Sequence, residues 1–86
     1  MATLNVSVVS AERELWTGEA TQVVARTTEG EIGILNGHQP VLAILAPGET
    51  RVSAVDGSVI TARVDDGFLS VQGNTVTIVA GNAELV

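Results

Sequence analysis

The chain has 86 residues, 45% of them hydrophobic, and its formal net charge at pH 7 is −6. A chain of this length builds one modest hydrophobic core, so we expect a single domain over residues 1–86. The negative charge disfavours nucleic acid and anionic lipid as partners, and the absence of cysteine excludes disulfides and thiolate metal sites.

The N-terminal segment alternates apolar and polar residues. Leu4, Val6 and Val8 fall on one side of an extended chain and are separated by polar residues, which predicts a strand with one buried face. No basic segment followed by an apolar one comes before them, so we expect no signal peptide and a cytoplasmic domain. Thr17-Gly18 then predicts a turn.

The middle of the chain contains a strand with an internal glycine and a short apolar run. Gly33 lies within the predicted strand 31–35, where a glycine indicates a bulge or the close approach of another backbone. The six apolar residues 41–46 are far fewer than the ~20 that a membrane-spanning helix needs. Because Pro47-Gly48 follows at once, this run is predicted to be a strand and not a helical turn.

The C-terminal half repeats the alternation between glycine-containing turns. The apolar positions that share a face are Ile60, Ala62 and Val64, then Leu69 and Val71, then Val76, Ile78 and Ala80. The predicted turns are Glu29-Gly30, Asn36-Gly37, Pro47-Gly48, Asp56-Gly57, Asp66-Gly67 and Gly73-Asn74. Short strands at this spacing predict an all-β antiparallel sandwich or barrel of nine or ten strands.

Residues that could carry out chemistry are few and isolated. His38 is the only histidine, so a zinc site or a histidine-based catalytic group has no second ligand or partner. Asp65-Asp66 before Gly67 indicates a hairpin turn, and two glutamates in residues 28–33 oppose a phosphate loop. We therefore predict no catalytic, cofactor or metal site, and no enzyme.

The block 31–45 leaves several interpretations open, and for His38 the simplest is a turn histidine bonded to nearby backbone. The block combines a glycine-interrupted strand, a polar turn and an apolar run, which suits an interface with another protein. Alternatively, a free-standing sandwich uses Glu31 and His38 to hold a small polar ligand, in which case a deep pocket around His38 is expected.

The run Glu29-Gly30-Glu31-Ile32-Gly33-Ile34-Leu35-Asn36-Gly37-His38-Gln39-Pro40 resembles the signature of the epsilon subunit of F-type ATP synthases. The resemblance continues to Leu42, Leu45, Pro47-Gly48 and Arg51. Residues 8–18, 67–71 and 76–80 are also similar to the N-terminal domain of that family, in the same order, so the resemblance covers essentially the whole chain.

The resemblance implies a flattened β-sandwich of about ten strands and a non-catalytic place in the rotor of a proton-translocating ATP synthase. In that family the domain joins the gamma subunit to the membrane-embedded c-ring and couples proton-driven rotation to ATP synthesis. We accordingly expect a peripheral protein at the cytoplasmic face of the cell membrane, with gamma and the c-ring as partners. No cofactor, small-molecule substrate, nucleic acid or inserted lipid is implied.

The resemblance also assigns an interface to the c-ring and the gamma subunit. By position, Glu31 meets polar loops of the ring and His38 lies at the junction with gamma. The full set implied is Glu31, Ile32, Gly33, Leu35, Gly37, His38 and Pro40.

Two departures from the family pattern bear on these expectations. Asn36 stands where proline is common, so the turn is expected to be somewhat looser. The helical hairpin that follows the sandwich in the family is missing after Val86, and the ending on the last predicted strand favours truncation at a domain boundary. Inhibition of ATP hydrolysis and nucleotide sensing belong to that hairpin, so we expect this chain to couple without inhibiting.

Overall fold

A computed structural model describes residues 3–37 and 39–86, and these residues form seven β-strands and no helix. The strands are β1 (Leu4–Ser10), β2 (Glu14–Thr27), β3 (Gly30–Leu35), β4 (Val41–Leu45), β5 (Gly48–Ala54), β6 (Val59–Gln72) and β7 (Thr75–Leu85). Within the described ranges, therefore, no helix exists that could cross a membrane. The predicted all-β class is confirmed, and so is a strand over residues 41–45.

Three long strands join the two layers of the sandwich. β2 and β6 have 14 residues each and β7 has 11. β2 changes from β1 to β3 and β5 midway, β6 changes from β5 to β4, and β7 stays paired with β6 along both halves. Sheet I consists of β3, the second half of β2, β5, the first half of β6 and the end of β7. Sheet II consists of the first half of β2, β1, the start of β7, the second half of β6 and β4. All neighbouring strands are antiparallel except β1 and β7, which are parallel.

The strand count of about ten is wrong because two predicted turns lie inside long strands. Thr17-Gly18 lies within β2 and Asp66-Gly67 lies within β6. At Gly18 the glycine makes room for an aromatic ring, since a Cβ there would lie 2.8 Å from Cζ2 of Trp16. Glycine at these two positions therefore serves close packing and not chain reversal.

Where a long strand passes from one sheet to the other, the alternation of its buried residues shifts by one position. In β6 the buried positions shift from Val64 to Leu69, and Asp65 and Asp66 are both exposed between them. Asp66 has a φ of 59°, but β6 continues through it and keeps one register with β7, so the hairpin turn predicted for Asp65-Asp66 is wrong. Gly67 follows, and a Cβ at that position would overlap the backbone carbonyl of Val79 in β7.

The core between the sheets is aliphatic and follows the predicted alternation. Its buried members are Leu4, Val6, Val8, Ala20, Val23, Ala25, Ile34, Leu45, Val52, Ala62, Val64, Leu69, Val71, Val76, Ile78 and Ala80. Trp16 packs at the margin of this core and is half-buried, whereas Phe68 is 39% exposed. The hydroxyl of Thr50 is fully buried in β5 and has no hydrogen-bond partner in the part of the chain described.

Candidate interaction surfaces

The strand β3 forms an edge of sheet I and carries most of the residues predicted for an interface. In the described residues it pairs with β2 alone, with an unbroken register from Gln22↔Leu35 to Thr27↔Gly30. Of the two alternatives predicted for Gly33, a bulge or the close approach of another backbone, the bulge is therefore excluded. A Cβ at Gly33 would meet only Gln22 Nε2, at 3.9 Å, so this strand leaves room for another backbone to approach from outside.

The predicted interface residues face different directions. Glu31, Gly33 and Leu35 are exposed on the outer side of β3, and Leu35 is 56% exposed. Ile32 faces inward, where it is half-buried against the core. Gly37 and Pro40 are exposed between β3 and β4, and His38 lies outside the described residues.

The outer side of sheet I carries a row of charges with alternating sign. Arg26 lies opposite Glu31 in the pairing of β2 with β3, and its side chain reaches over Gly48 at the start of β5. Arg63 then lies between Glu49 and Glu84, with nitrogen–oxygen distances of 3.9 and 3.8 Å. We call Glu31, Arg26, Glu49, Arg63 and Glu84 the charged row. Exposed pairs at these distances stabilise the fold little, so the row is chiefly a polar surface.

The outer side of sheet II is apolar at its centre. Ile44 of β4 lies beside Phe68 of β6, Phe68 beside Val79 of β7, and Val79 beside Val9 of β1. Leu42 lies two residues before Ile44 on the same side, and these two side chains are 71% and 59% exposed. We call Val9, Leu42, Ile44, Phe68 and Val79 the apolar face.

Two glutamates border the apolar face on β2, and Arg13 precedes the first of them in the turn between β1 and β2. Glu14 lies opposite Val9 in the pairing of β1 with β2, and Glu19 lies opposite Asn5 on the same strands. Three of the four arginines, Arg26, Arg51 and Arg63, point outward from sheet I instead. The two outer sides of the sandwich thus differ in kind, one charged with mixed sign and the other apolar with an acidic border.

The connection from β3 to β4 passes from sheet I to sheet II and so links the two outer sides. Its start is held against the turn between β6 and β7, because Gly37 N–H donates to Asn74 Oδ1 at 3.4 Å. Asn74 is itself anchored, since its carbonyl accepts the N–H of Asn5 at 2.7 Å. Gly37 has a φ of 85°, a conformation that favours glycine.

Sequence reasoning missed the apolar face, although a signal was present. Val9, Phe68 and Val79 occupy the phase of their strands that faces outward, where polar residues normally alternate with the buried ones. Which outward positions become neighbours depends on the register between strands far apart in sequence. That register does not follow from alternation alone.

The described residues offer little that would bind a small molecule or a metal. They contain no group of three or more His, Asp or Glu side chains able to hold a metal ion. Four grooves of about 210 to 420 Å³ open on this part of the surface, and Glu31 lines none of the four. The two extended outer faces instead suit contact with other proteins.

Comparisons with known proteins agree with a β-sandwich that works within an assembly. Residues 3–86 match the family model described as the ATP synthase, Delta/Epsilon chain, beta-sandwich domain. The ATP synthase epsilon chain of Micrococcus luteus is 52% identical over 85 residues, which are 99% of this chain and 93% of that protein. The epsilon chain of Streptomyces coelicolor is 48% identical over 84 residues, which are 98% of this chain but only 68% of that protein.

A solved structure shows the same fold. A chain in the cryo-EM structure of the Euglena gracilis mitochondrial ATP synthase, OSCP/F1/c-ring in rotational state 1, superposes with a TM-score of 0.90 and 26% identity. The match covers 99% of this chain and 54% of that one, so this chain spans about half the length of its structural relative.

Proposed function

Because the chain belongs to the ATP synthase delta/epsilon family, we propose that it is a rotor subunit that links the gamma subunit to the c-ring. An epsilon chain is a subunit of the ATP synthase complex and not its catalytic subunit. In the role proposed, rotation of the ring driven by protons turns gamma through this domain and is thereby coupled to ATP synthesis. The domain would lie at the cytoplasmic face of the cell membrane as a peripheral protein.

The apolar face is the observation that carries this proposal. Contiguous apolar side chains on four neighbouring strands are costly to leave in water, and such surfaces mark sites of protein interaction. We assign this face to the gamma subunit. Its acidic border predicts that the matching surface of gamma is apolar with basic residues around it.

The c-ring is assigned to the other side, at the outer edge of sheet I. Glu31, Gly33 and Leu35 present a carboxylate, an open backbone and an exposed apolar side chain along β3. Gly37, His38 and Pro40 belong to the connection between the two sides and therefore to the junction of ring and gamma. Ile32 lines the groove between β4 and the turn that leads into β3.

The construction of the fold suits the transmission of torque. Three strands pass from one sheet into the other, so the two outer sides are joined by continuous backbone and by ladder hydrogen bonds. A force applied to sheet I is thus carried to sheet II without a hinge at a loop. No cofactor or small-molecule substrate is needed for this role.

Binding of purified cognate gamma subunit tests the assignment of the faces. Gamma should bind the wild-type chain, and Val79→Asp should weaken binding by about 100-fold or more, because it buries a carboxylate in the apolar face. Thr61→Asp places the same group on the outer side of sheet I and serves as the matched control. Glu31→Ala should bind gamma like the wild type. A folded wild-type chain that does not bind gamma would refute the proposal.

A further inference from the structure

The strand β4 has one free edge. Along one side it pairs with β6 over its whole length, from Val41↔Val71 to Leu45↔Gly67. Along the other side, within the described residues, only Leu45 forms a bridge, with Thr27 at the end of β2. The first three residues of β4 therefore have no strand beside them on that side.

Hydrogen bonds at the end of β4 show which backbone groups this edge exposes. The carbonyl of Ile44 accepts Thr28 N–H, and Ala46 N–H donates to the carbonyl of Arg26, both at 3.0 Å. Alternate residues of a strand direct their N–H and C=O to the same edge. Leu42 N–H, Leu42 C=O and Ile44 N–H therefore point toward the side that lacks a strand. Pro40, two residues before Leu42, would face the same edge, but proline has no backbone N–H.

A groove of about 210 Å³ lies in front of this edge, between β4 and the turn that leads into β3. Its lining is mostly apolar or hydroxylic, and its single charged residue is Glu29. The lining residues are Thr27, Thr28, Glu29, Ile32, Val41, Leu42, Ala43 and Ile44. Ile32 and Val41 pack on the core at the same time, so an apolar side chain entering the groove would extend the core.

We infer that an extended segment of the partner covering the apolar face adds as a strand along β4, pairing with Leu42 and Ile44. The inference rests on the proposed function, because that partner is the gamma subunit. Unpaired donors and acceptors in a row are satisfied by another strand, and β-strand addition is a common mode of recognition. Alternate side chains of the segment are apolar and enter the groove, and a basic residue lies near Glu29.

Two observations favour this occupant. Leu42 and Ile44 belong both to the apolar face and to the groove, so a partner seated on the face reaches the edge without a gap. A second copy of this chain is disfavoured, because it would bring a further net charge of −6 and the same acidic border.

Residue-resolved amide hydrogen exchange, with and without the cognate gamma subunit, tests the inference. In the free chain, Leu42 and Ile44 should exchange much faster than Ala43 and Leu45, whose amides point toward β6. With gamma bound, exchange at Leu42 and Ile44 should slow by about 100-fold or more.

A second test of the inference compares a proline with an alanine substitution at Leu42. Leu42→Pro removes one donor from the free edge, where proline is tolerated, and Leu42→Ala removes the side chain but keeps the donor. Affinity for gamma should fall about tenfold further in Leu42→Pro than in Leu42→Ala. If Leu42→Pro fails to fold, the exchange measurement on the wild type decides by itself.

The possible failures are distinguishable. A gamma complex in which Leu42 and Ile44 exchange as in the free chain would overturn strand addition and leave the proposed function standing. No gamma complex with a folded chain would overturn both. Protection at Leu42 and Ile44 that rises with the concentration of the chain alone would identify a second copy as the occupant, and would also overturn the inference.

Discussion

The buried hydroxyl of Thr50 is a local weakness of the core. It has no hydrogen-bond partner in the described structure, and a hydroxyl without a partner destabilises a folded protein because it loses its hydrogen bonds to water. Thr50→Val keeps the shape of the side chain and removes the hydroxyl. We expect the free energy of unfolding to rise by about 1 kcal/mol, as measured by urea denaturation.

Thr61→Val is the control for this measurement. Thr61 lies on the outer side of β6, where its hydroxyl can reach water, so the same substitution should change stability by less than about 0.5 kcal/mol. Equal effects of the two substitutions would mean that the Thr50 hydroxyl is satisfied in solution.

The turn between β5 and β6 contains a carboxylate held in its charged form. Hydrogen bonds from the hydroxyl and then the backbone N–H of Ser58, at 2.6 and 2.9 Å, lower the pKa of Asp56 from its ordinary value of 3.8. Because the folded pKa lies below the unfolded one, this interaction stabilises the fold above the unfolded pKa. The stabilisation is lost as the pH falls through the folded pKa.

Ser58→Ala should therefore raise the pKa of Asp56 toward 3.8, as followed by NMR titration of its carboxyl carbon. The stability difference between wild type and Ser58→Ala should be present at neutral pH and vanish in acid below the folded pKa. An Asp56 pKa that does not respond to the substitution would show that the hydroxyl does not control it.

Among the strands, the close pairing of β6 with β7 depends on a single glycine. A Cβ at Gly67 would overlap the carbonyl of Val79, so the two strands could not keep their spacing. Gly67→Ala should lower the free energy of unfolding by more than about 2 kcal/mol, measured in urea with Trp16 as the fluorescent probe.

Gly33→Ala is the matched control for that substitution. At Gly33 the new methyl group would have only Gln22 Nε2 nearby, at 3.9 Å, and the backbone conformation is one that alanine adopts easily. The change should be neutral or stabilise by about 0.5 kcal/mol. A Gly67→Ala protein as stable as Gly33→Ala would mean that β6 and β7 do not approach as closely as described.

Neighbouring residues of β7 face opposite sides of the sheet, so substitutions at Ile78 and Val79 test which side is buried. Ile78 is fully buried between the sheets, so Ile78→Asp places an unpaired carboxylate in the core and should abolish folding. Val79 points outward, so Val79→Asp should keep a native far-UV circular dichroism spectrum. A native-like Ile78→Asp protein would show that Ile78 faces outward and that the burial described for β7 is wrong.

Which residues lie in strands could be predicted from the sequence, but not where two predicted strands form one continuous strand. The alternation around Leu4, Ile60 and Val76 correctly indicated which residues are buried, because that pattern depends on each strand alone. Asp66-Gly67 has the composition of a tight turn, yet here it lies inside β6, where Asp66 has a φ of 59°. Only the tertiary requirement that β6 serve both sheets distinguishes these two uses of the same residues.

For the molecule as a whole, the outer sides could be predicted only in part. The pattern in residues 31–35 indicated a strand, which is β3, and its residues Glu31, Gly33 and Leu35 are exposed. The apolar face was not foreseen, because its members come from four strands whose order in the sheet is set by long-range pairing. In the role proposed, each outer side would contact a different partner.

Proton-driven ATP synthesis by membranes depleted of epsilon subunit tests the central claim most directly. Wild-type chain added to membranes from its own source should raise the rate of ATP synthesis, and Val79→Asp should not, because it disrupts the contact proposed with gamma. Thr61→Asp should act like the wild type. A folded wild-type chain that binds gamma and yet leaves the rate unchanged would contradict the claim that this domain couples the ring to the stalk.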